Sequence, residues 1–238
     1  MEKYKYFLDN AMKYYQSDEE VIKYFQRIPL SRYYTFKYCL DLINLLENPI
    51  IIELGTSRSF VDGRFDGCNS NDIHYWDPDN PEKWDWSAGC FTRVFSELTN
   101  NCNLQTVDIE KNHINRCKLM TKDFSNKIKY IVSSSENFLN NCLPKSVDLL
   151  YLDTGDMTPI ENTAQLHLRE AKIIIQKDIL KDNGLILIDD VRNCTPKKAG
   201  EISDYGKAKY SIPYFLENGY KIVMDEYQII LKKTHKEK

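Results

Sequence analysis

Four apolar runs of this chain end in acids: Ile50-Ile51-Ile52-Glu53-Leu54-Gly55, Leu104-Gln105-Thr106-Val107-Asp108, Val147-Asp148-Leu149-Leu150-Tyr151-Leu152-Asp153 and Leu185-Ile186-Leu187-Ile188-Asp189-Asp190. Each reads as a buried parallel strand with a carboxylate where it leaves the core. Burying a charge is costly, so acids gathered at strand ends suggest a polar ligand or an ion. In open parallel α/β sheets, ligands bind in the crevice outside those carboxyl ends. Asp153 closes one run and Asp189-Asp190 the next, so the three should converge. Clustered carboxylates repel unless they are protonated or metal-bound. A hard divalent cation with oxygen ligands, Mg²⁺ foremost, resolves that repulsion. The plainer alternative is that one acid faces solvent or caps a helix and no metal binds.

The other strand ends suit an organic ligand. In Glu53-Leu54-Gly55-Thr56-Ser57, the glycine lets the backbone turn tightly and approach a bound molecule, although an ordinary strand-to-helix turn has the same composition. The segment lacks the further glycines of a dinucleotide fingerprint and the Gly-Lys-Ser/Thr of a phosphate-cradling loop. Asp108, at the next strand end, is an acceptor only and can take both hydroxyls of a ribose; its alternative is a helix N-terminal acid favoured by the macrodipole. Ser133-Ser134-Ser135-Glu136 suits contacts to the edge of a base and, equally, a helix N-cap. His167, beyond the fourth strand, and His74 could face a substrate; a surface position suits either as well. No Gly-x-Ser-x-Gly supports a hydrolase elbow.

The elements that must position these residues follow from periodicity. Residues 1–48 read as a helical extension, with Leu40, Leu42, Ile43, Leu45 and Leu46 forming one apolar face before Asn48-Pro49. From 49 to 238 the chain reads as one domain. Strands are expected at 50–53, 104–108, 129–132, 147–152 and 185–188, alternating with helices at about 88–100, 110–121, 135–141, 161–181 and 208–217. That alternation predicts a parallel sheet with crossover helices. Tyr220–Met224 and Tyr227–Leu231 flank the acidic pair Asp225-Glu226 and predict an antiparallel hairpin. The aromatic-rich stretch 57–87 breaks the rhythm and reads as a lid over the site.

Composition excludes several classes. A chain of 238 residues with 42% hydrophobic and 28% charged residues can build a sizeable core. A net charge of −3 leaves no electrostatic footprint for nucleic acid. Seven cysteines without a Cys-x-x-Cys argue against a disulfide framework or zinc ribbon and point to reduced thiols in the cytoplasm. The opening residues Met1-Glu2-Lys3-Tyr4-Lys5 lack the apolar core expected of a signal peptide, and no apolar run approaches the roughly 20 residues of a membrane span. The expected partner is a small molecule, with neither nucleic acid nor membrane; a homo-oligomer is left open.

Taken together, Glu-Leu-Gly-Thr-Ser after strand one, Thr-Val-Asp-Ile-Glu after strand two, Ser-Ser-Ser-Glu-Asn after strand three, Asp-Leu-Leu-Tyr-Leu-Asp at strand four and Gly-Leu-Ile-Leu-Ile-Asp-Asp at strand five resemble the class I S-adenosylmethionine-dependent methyltransferases. The resemblance spans roughly residues 45–232 and implies a Rossmann-like α/β sheet of seven strands, ordered 3-2-1-4-5-7-6 with the last strand antiparallel. It implies S-adenosyl-L-methionine as cofactor. Glu53, Gly55, Thr56 and Ser57 would hold its methionine part, with Asp153 alongside, Asp108 its ribose, and Ser134, Ser135 and Glu136 its adenine. Asp153 with Asp189-Asp190 looks like the metal site of metal-dependent O-methyltransferases; catechol-type enzymes carry Asp-Asn at the second position, macrocin-type sugar enzymes Asp-Asp as here. The expectation is a Mg²⁺-assisted O-methylation of a small hydroxylated acceptor such as a sugar derivative, with Asp153 and His167 as catalytic candidates and Asp153, Asp189 and Asp190 as metal ligands. The alternatives are a metal-independent N- or carboxyl-methyltransferase and a cofactor-binding scaffold without turnover.

Overall fold

The computed structural model describes residues 1–9, 31–56, 90–155, 159–191 and 205–234. The expected lid 57–87, with Ser57 and His74, lies outside the described residues.

Apolar runs too short for helices and rich in β-branched residues form a central sheet. Its strands are β1 (Ile50–Leu54), β2 (Asn103–Asp108), β3 (Ile128–Val132), β4 (Val147–Leu152), β5 (Leu180–Ile188), β6 (Tyr220–Asp225) and β7 (Ile229–Lys233). Their spatial order is 3-2-1-4-5-7-6. β1 to β5 are parallel, whereas β7 pairs antiparallel with both β5 and β6. Sheet order and hairpin agree with expectation. Because β7 runs against β5, Ile229 faces Ile188. The residues just before β7 therefore stand at the carboxyl edge beside Asp189.

Successive side chains of each strand point to opposite faces, so the central strands feed two apolar layers. Ile51, Leu149, Tyr151, Leu185 and Leu187 pack with Tyr4, Phe36, Phe91 and Phe95 on one face. Ile52, Leu150, Leu152, Ile186 and Ile188 pack with Ala171, Ile174 and Phe215 on the other. The first layer is covered by α1 (Glu2–Asp9), α2 (Tyr33–Ile43) and α3 (Phe91–Leu98); α4 (Lys111–Met120) follows β2. On the second face lie α5 (Ser135–Asn140), α6 (Ile160–Gln176) and α7 (Ser211–Glu217).

Two expectations are corrected. The N-terminal apolar face ends early: α2 stops at Ile43, and Leu45, beyond it, is 80% exposed. The helix expected to run to 181 stops at Gln176, because Asp178 adopts a left-handed φ of 51° and the chain enters β5 at Leu180. A register shift against β4 between Val147 and Leu149 accommodates this early start.

One turn links the strand ends. Gly55 has φ +86°, and its N–H donates to the Val107 carbonyl at 2.9 Å. The Asp153 N–H donates to the Leu54 carbonyl at 2.9 Å, which brings the β4 end against the turn. A Cβ at position 55 would lie 2.3 Å from the Asp153 carbonyl oxygen. Only glycine satisfies both the φ and the space. Gly55→Ala is therefore expected to lower the unfolding free energy by about 2 kcal/mol or more, read from urea denaturation. Wild-type stability in this variant would mean that the turn can move away from β4.

Candidate functional site

Asp108, closing β2, is held by three donors. Its Oδ2 accepts the Thr56 N–H at 3.1 Å; its Oδ1 accepts the Glu110 N–H at 2.8 Å and His113 Nδ1 at 3.2 Å. The bonds fix the carboxylate across the mouth of the β1 turn and leave it lone pairs for a ligand, since a carboxylate offers about four acceptor positions. The spacing from Asp108 to His113 carried a signal for this pairing, because the first turn of a helix after a strand folds back over the strand end.

Glu53 behaves differently. It is buried, and its Oε2 accepts the hydroxyls of Thr92, at the start of α3, and of Thr106 on β2, the latter at 2.5 Å. Burial raises its carboxyl to about 8, against the pull of the two threonine hydroxyls. The side chain thus braces β1 against β2 and α3. The serine cluster is likewise engaged within the fold. Ser134 is the N-cap of α5 and accepts the Asn137 N–H at 3.3 Å; Glu136 pairs with Arg169 at 2.8 Å; Ser135 is buried and bonds Glu170.

The three aspartates do converge: each offers a carboxylate oxygen, and these atoms lie within 4.8 Å of one another. Cations of the chain itself already meet them. Lys207 Nζ lies 2.9 Å from Asp153 Oδ1 and 2.8 Å from Asp190 Oδ2. Arg32 Nη2 lies 2.8 Å from Asp189 Oδ2, and Arg32 Nε reaches both Asp189 oxygens at 3.2 Å. Asp189 also accepts Tyr151 Oη at 2.9 Å and Gln228 Nε2 at 2.9 Å. Tyr227 Oη donates to Asp190 Oδ1. Among the described residues no donor reaches Asp153 Oδ2.

Electrostatics follow from this packing. Burial opposes ionisation of Asp190, but Lys207 and Arg32 outweigh it and hold the carboxyl well below the usual range. Asp153 goes the other way: burial raises its carboxyl, Lys207 opposes the rise, and Asp189 and Asp190 add to it. Burial disfavours the charged form of Lys207, but Asp153, Asp190 and Asp189 outweigh it and raise its proton affinity, so it stays an ammonium.

The fit of a resident divalent ion can be judged from these contacts. Asp189 has its acceptor positions filled by Arg32, Tyr151 and Gln228, while an ammonium occupies the space between Asp153 and Asp190. Three negative charges meet two positive ones before any ion arrives. Mg²⁺ needs oxygens at about 2.0–2.1 Å in octahedral array, so it could enter only by expelling the Lys207 ammonium. The donor set does not fit the expected metal.

His167 does not line the crevice as a catalytic group. It is fully buried, and its Nε2–H donates to the Thr154 carbonyl at 3.0 Å. Burial, reinforced by the nearby Lys207 charge, lowers it to about 3 and keeps it neutral. Thr154 Oγ1 in turn donates to buried Glu170 at 2.9 Å, so His167 and Glu170 together fix the loop that carries Asp153. Sequence reasoning missed Arg32, Tyr151, Lys207, Tyr227 and Gln228. For the last two the signal existed: an antiparallel final strand puts its leading residues at the carboxyl edge.

Against known proteins, no family model matches the chain, and no curated protein matches it. Solved structures do. One from Corynebacterium glutamicum superposes with a TM-score of 0.54 at 10% identity, over 95% of this chain and 97% of the other. A methyltransferase from Geobacter sulfurreducens gives 0.51 at 13%, over 95% and 97%. An SAH-bound methyltransferase from Podospora anserina gives 0.51 at 15%, over 95% and 94%. At such identities the likeness is one of fold, and with the observed strand order it defines the Rossmann-like methyltransferase fold. No helix among the described residues is long and apolar enough to cross a membrane.

The raised Glu53 has a measurable consequence. Its folded-state value of about 8 lies above the ordinary 4.5, so the folded chain holds a proton that the unfolded chain releases between those values. The stability it contributes is complete below 4.5 and is lost as pH rises toward 8. Glu53→Gln, which keeps the shape and an acceptor, should gain on the wild type by up to about 1.4 kcal/mol per pH unit across that window. Urea midpoints taken from about pH 5 to about pH 8 read this out; a difference independent of pH would mean that Glu53 is ionised in the fold.

Proposed function

We propose that the chain is an S-adenosylmethionine-dependent methyltransferase acting on a hydroxyl oxygen of a small acceptor, with a sugar or sugar derivative the first class to test. One observation carries the reading. Asp108 and Asp153 flank the Gly55 turn at the same carboxyl edge, one with acceptor positions for ribose hydroxyls and the other with an oxygen that no donor among the described residues reaches. The fold supports it, because that edge is where ligands bind in such sheets.

The residues divide the work. Asp108, steadied by Thr56, Glu110 and His113, accepts the two ribose hydroxyls. Ile109 and Val132, exposed at the ends of β2 and β3, offer apolar surface to the base. Gly55 lets the backbone approach the amino-acid portion. When bound, the cofactor supplies an electrophilic methyl group. Asp153 faces the acceptor: its Oδ1 is anchored by Lys207, and its Oδ2 accepts the proton of the attacking hydroxyl. Burial raises its proton affinity, which suits a general base near neutral pH. Lys207, held on Asp153 and Asp190, fixes the orientation of the base and balances charge. Magnesium assistance is the weaker version of the reaction here, since the ammonium holds the ion's place.

Calorimetry with S-adenosylmethionine and S-adenosylhomocysteine tests the cofactor assignment. Asp108→Ala should weaken binding by about 1.5–3 kcal/mol through lost charge-assisted hydrogen bonds. Unchanged affinity in a natively folded variant removes the ribose assignment. Transfer of labelled methyl to a panel of hydroxylated acceptors tests turnover; tight cofactor binding with transfer to none would favour a scaffold.

A further inference from the structure

We infer that Lys207 is the built-in cation of the three-aspartate cluster: its ammonium stands where a divalent ion would sit, and its removal turns the cluster into a metal site. The inference concerns the site described above, but it rests on side-chain geometry, and its test needs no turnover. It therefore survives if methyl transfer is the wrong reading.

Several observations converge on this lysine. It is 1% exposed although it carries a charge. Lysine is almost never fully buried unless paired, and here two carboxylates share it at 2.9 and 2.8 Å. The Gly155 carbonyl lies 3.5 Å from the same nitrogen. These are oxygen atoms from two strand ends and one loop around a single point charge, which is the arrangement a hard cation requires.

The backbone is shaped to deliver the ammonium. Tyr205, Gly206 and Asp190 all have left-handed φ, at 43°, 50° and 55°. Such conformations are uncommon for side chains with a Cβ and persist only where the surroundings enforce them. Gly206 sits directly on the cluster: a Cβ there would lie 2.5 Å from the Asp190 carbonyl oxygen and 3.0 Å from that of Val191. The short 3₁₀ turn Gly206–Ala208 is thus pressed against the β5 end, with Lys207 reaching under it. Arg32 is the second cation of the cluster, but it bonds Asp189 at 2.8 Å and stands 3.8 Å from Asp190 Oδ1, on the side away from the Oδ2 that meets Lys207.

Without the ammonium, Asp153 and Asp190 would present two carboxylate oxygens within 4.8 Å of each other and of Asp189, with Arg32, 3.8 Å from Asp190 Oδ1, as the other cation paired with the cluster among the described residues. That is a vacancy a divalent ion fills. Manganese is the probe, since its paramagnetic resonance signal falls when the hexa-aqua ion is taken up. The full chain, titrated with millimolar Mn²⁺, should leave the signal unchanged. Lys207→Ala should bind Mn²⁺ about tenfold or more tightly than the wild type, and adding Asp190→Asn to it should abolish the uptake. Lys207→Gln keeps the length of the side chain and serves if the alanine variant does not fold. The inference is overturned if the wild type takes up Mn²⁺ and Asp190→Asn alone removes it. It is also overturned if a natively folded Lys207→Ala or Lys207→Gln binds no better than the wild type. Should neither variant fold, the wild-type titration decides: uptake that depends on Asp190 overturns it, and no uptake supports it.

Discussion

The neutralisation of three carboxylates at the ends of β4 and β5 is the constraint on which the rest of the site depends. Uncompensated charges there would be untenable, since an ion taken out of water costs several kcal/mol unless it is paired and hydrogen-bonded. The fold answers with one cation from each side of the sequence. Arg32, immediately before α2, pairs with Asp189, and Lys207, just before α7, bridges Asp153 and Asp190. Tyr151 and Gln228 donate further hydrogen bonds to Asp189, and Tyr227 one to Asp190. Thr35 donates to Gln228 Oε1, so α2 is tied to the hairpin as well. The N-terminal helices are therefore part of the site, because without Arg32 the buried Asp189 would lack its counter-charge.

The two halves of the carboxyl edge differ in chemistry for a physical reason. Around β1 and β2 the charge at the strand ends is Asp108, partly exposed and steadied by backbone N–H groups; Glu53, one strand over, is turned into the core and kept near-neutral by burial. That side suits a neutral, hydroxyl-bearing ligand part. Around β4 and β5 the charges are dense, three carboxylates against two cations, and among the described residues Asp153 Oδ2 is the oxygen that meets no donor. Neutral His167, donating to the Thr154 carbonyl, and Glu170, accepting from the Thr154 hydroxyl, hold that carboxylate's loop from beneath. Preorganisation of this kind places a base without requiring it to move.

Periodicity exposed the strands because it is a local property. Each of the runs at 50, 104, 147 and 185 is apolar over a strand's length and ends in an acid, and each became a strand of the sheet. Helix limits were less legible: the α6 pattern continues through Ile179 and Leu180, but left-handed Asp178 stops the helix and the sheet claims Leu180. Ser134 carries both meanings its type allows at the level of sequence, and the structure uses it as a cap.

The sequence by itself determined a parallel sheet and the edge where the acids gather, because strand and helix alternate along the chain; the strand order was implied only by the resemblance to the methyltransferases. It could not determine what neutralises the acids. Arg32 lies 157 positions from Asp189, and Lys207 lies 54 from Asp153. Nothing in the spacing of a lone arginine and a lone lysine marks them as counter-ions. A cluster of carboxylates read in isolation calls for a metal; only the tertiary structure, which brings distant side chains into one low-dielectric space, reveals that the chain carries its own cations.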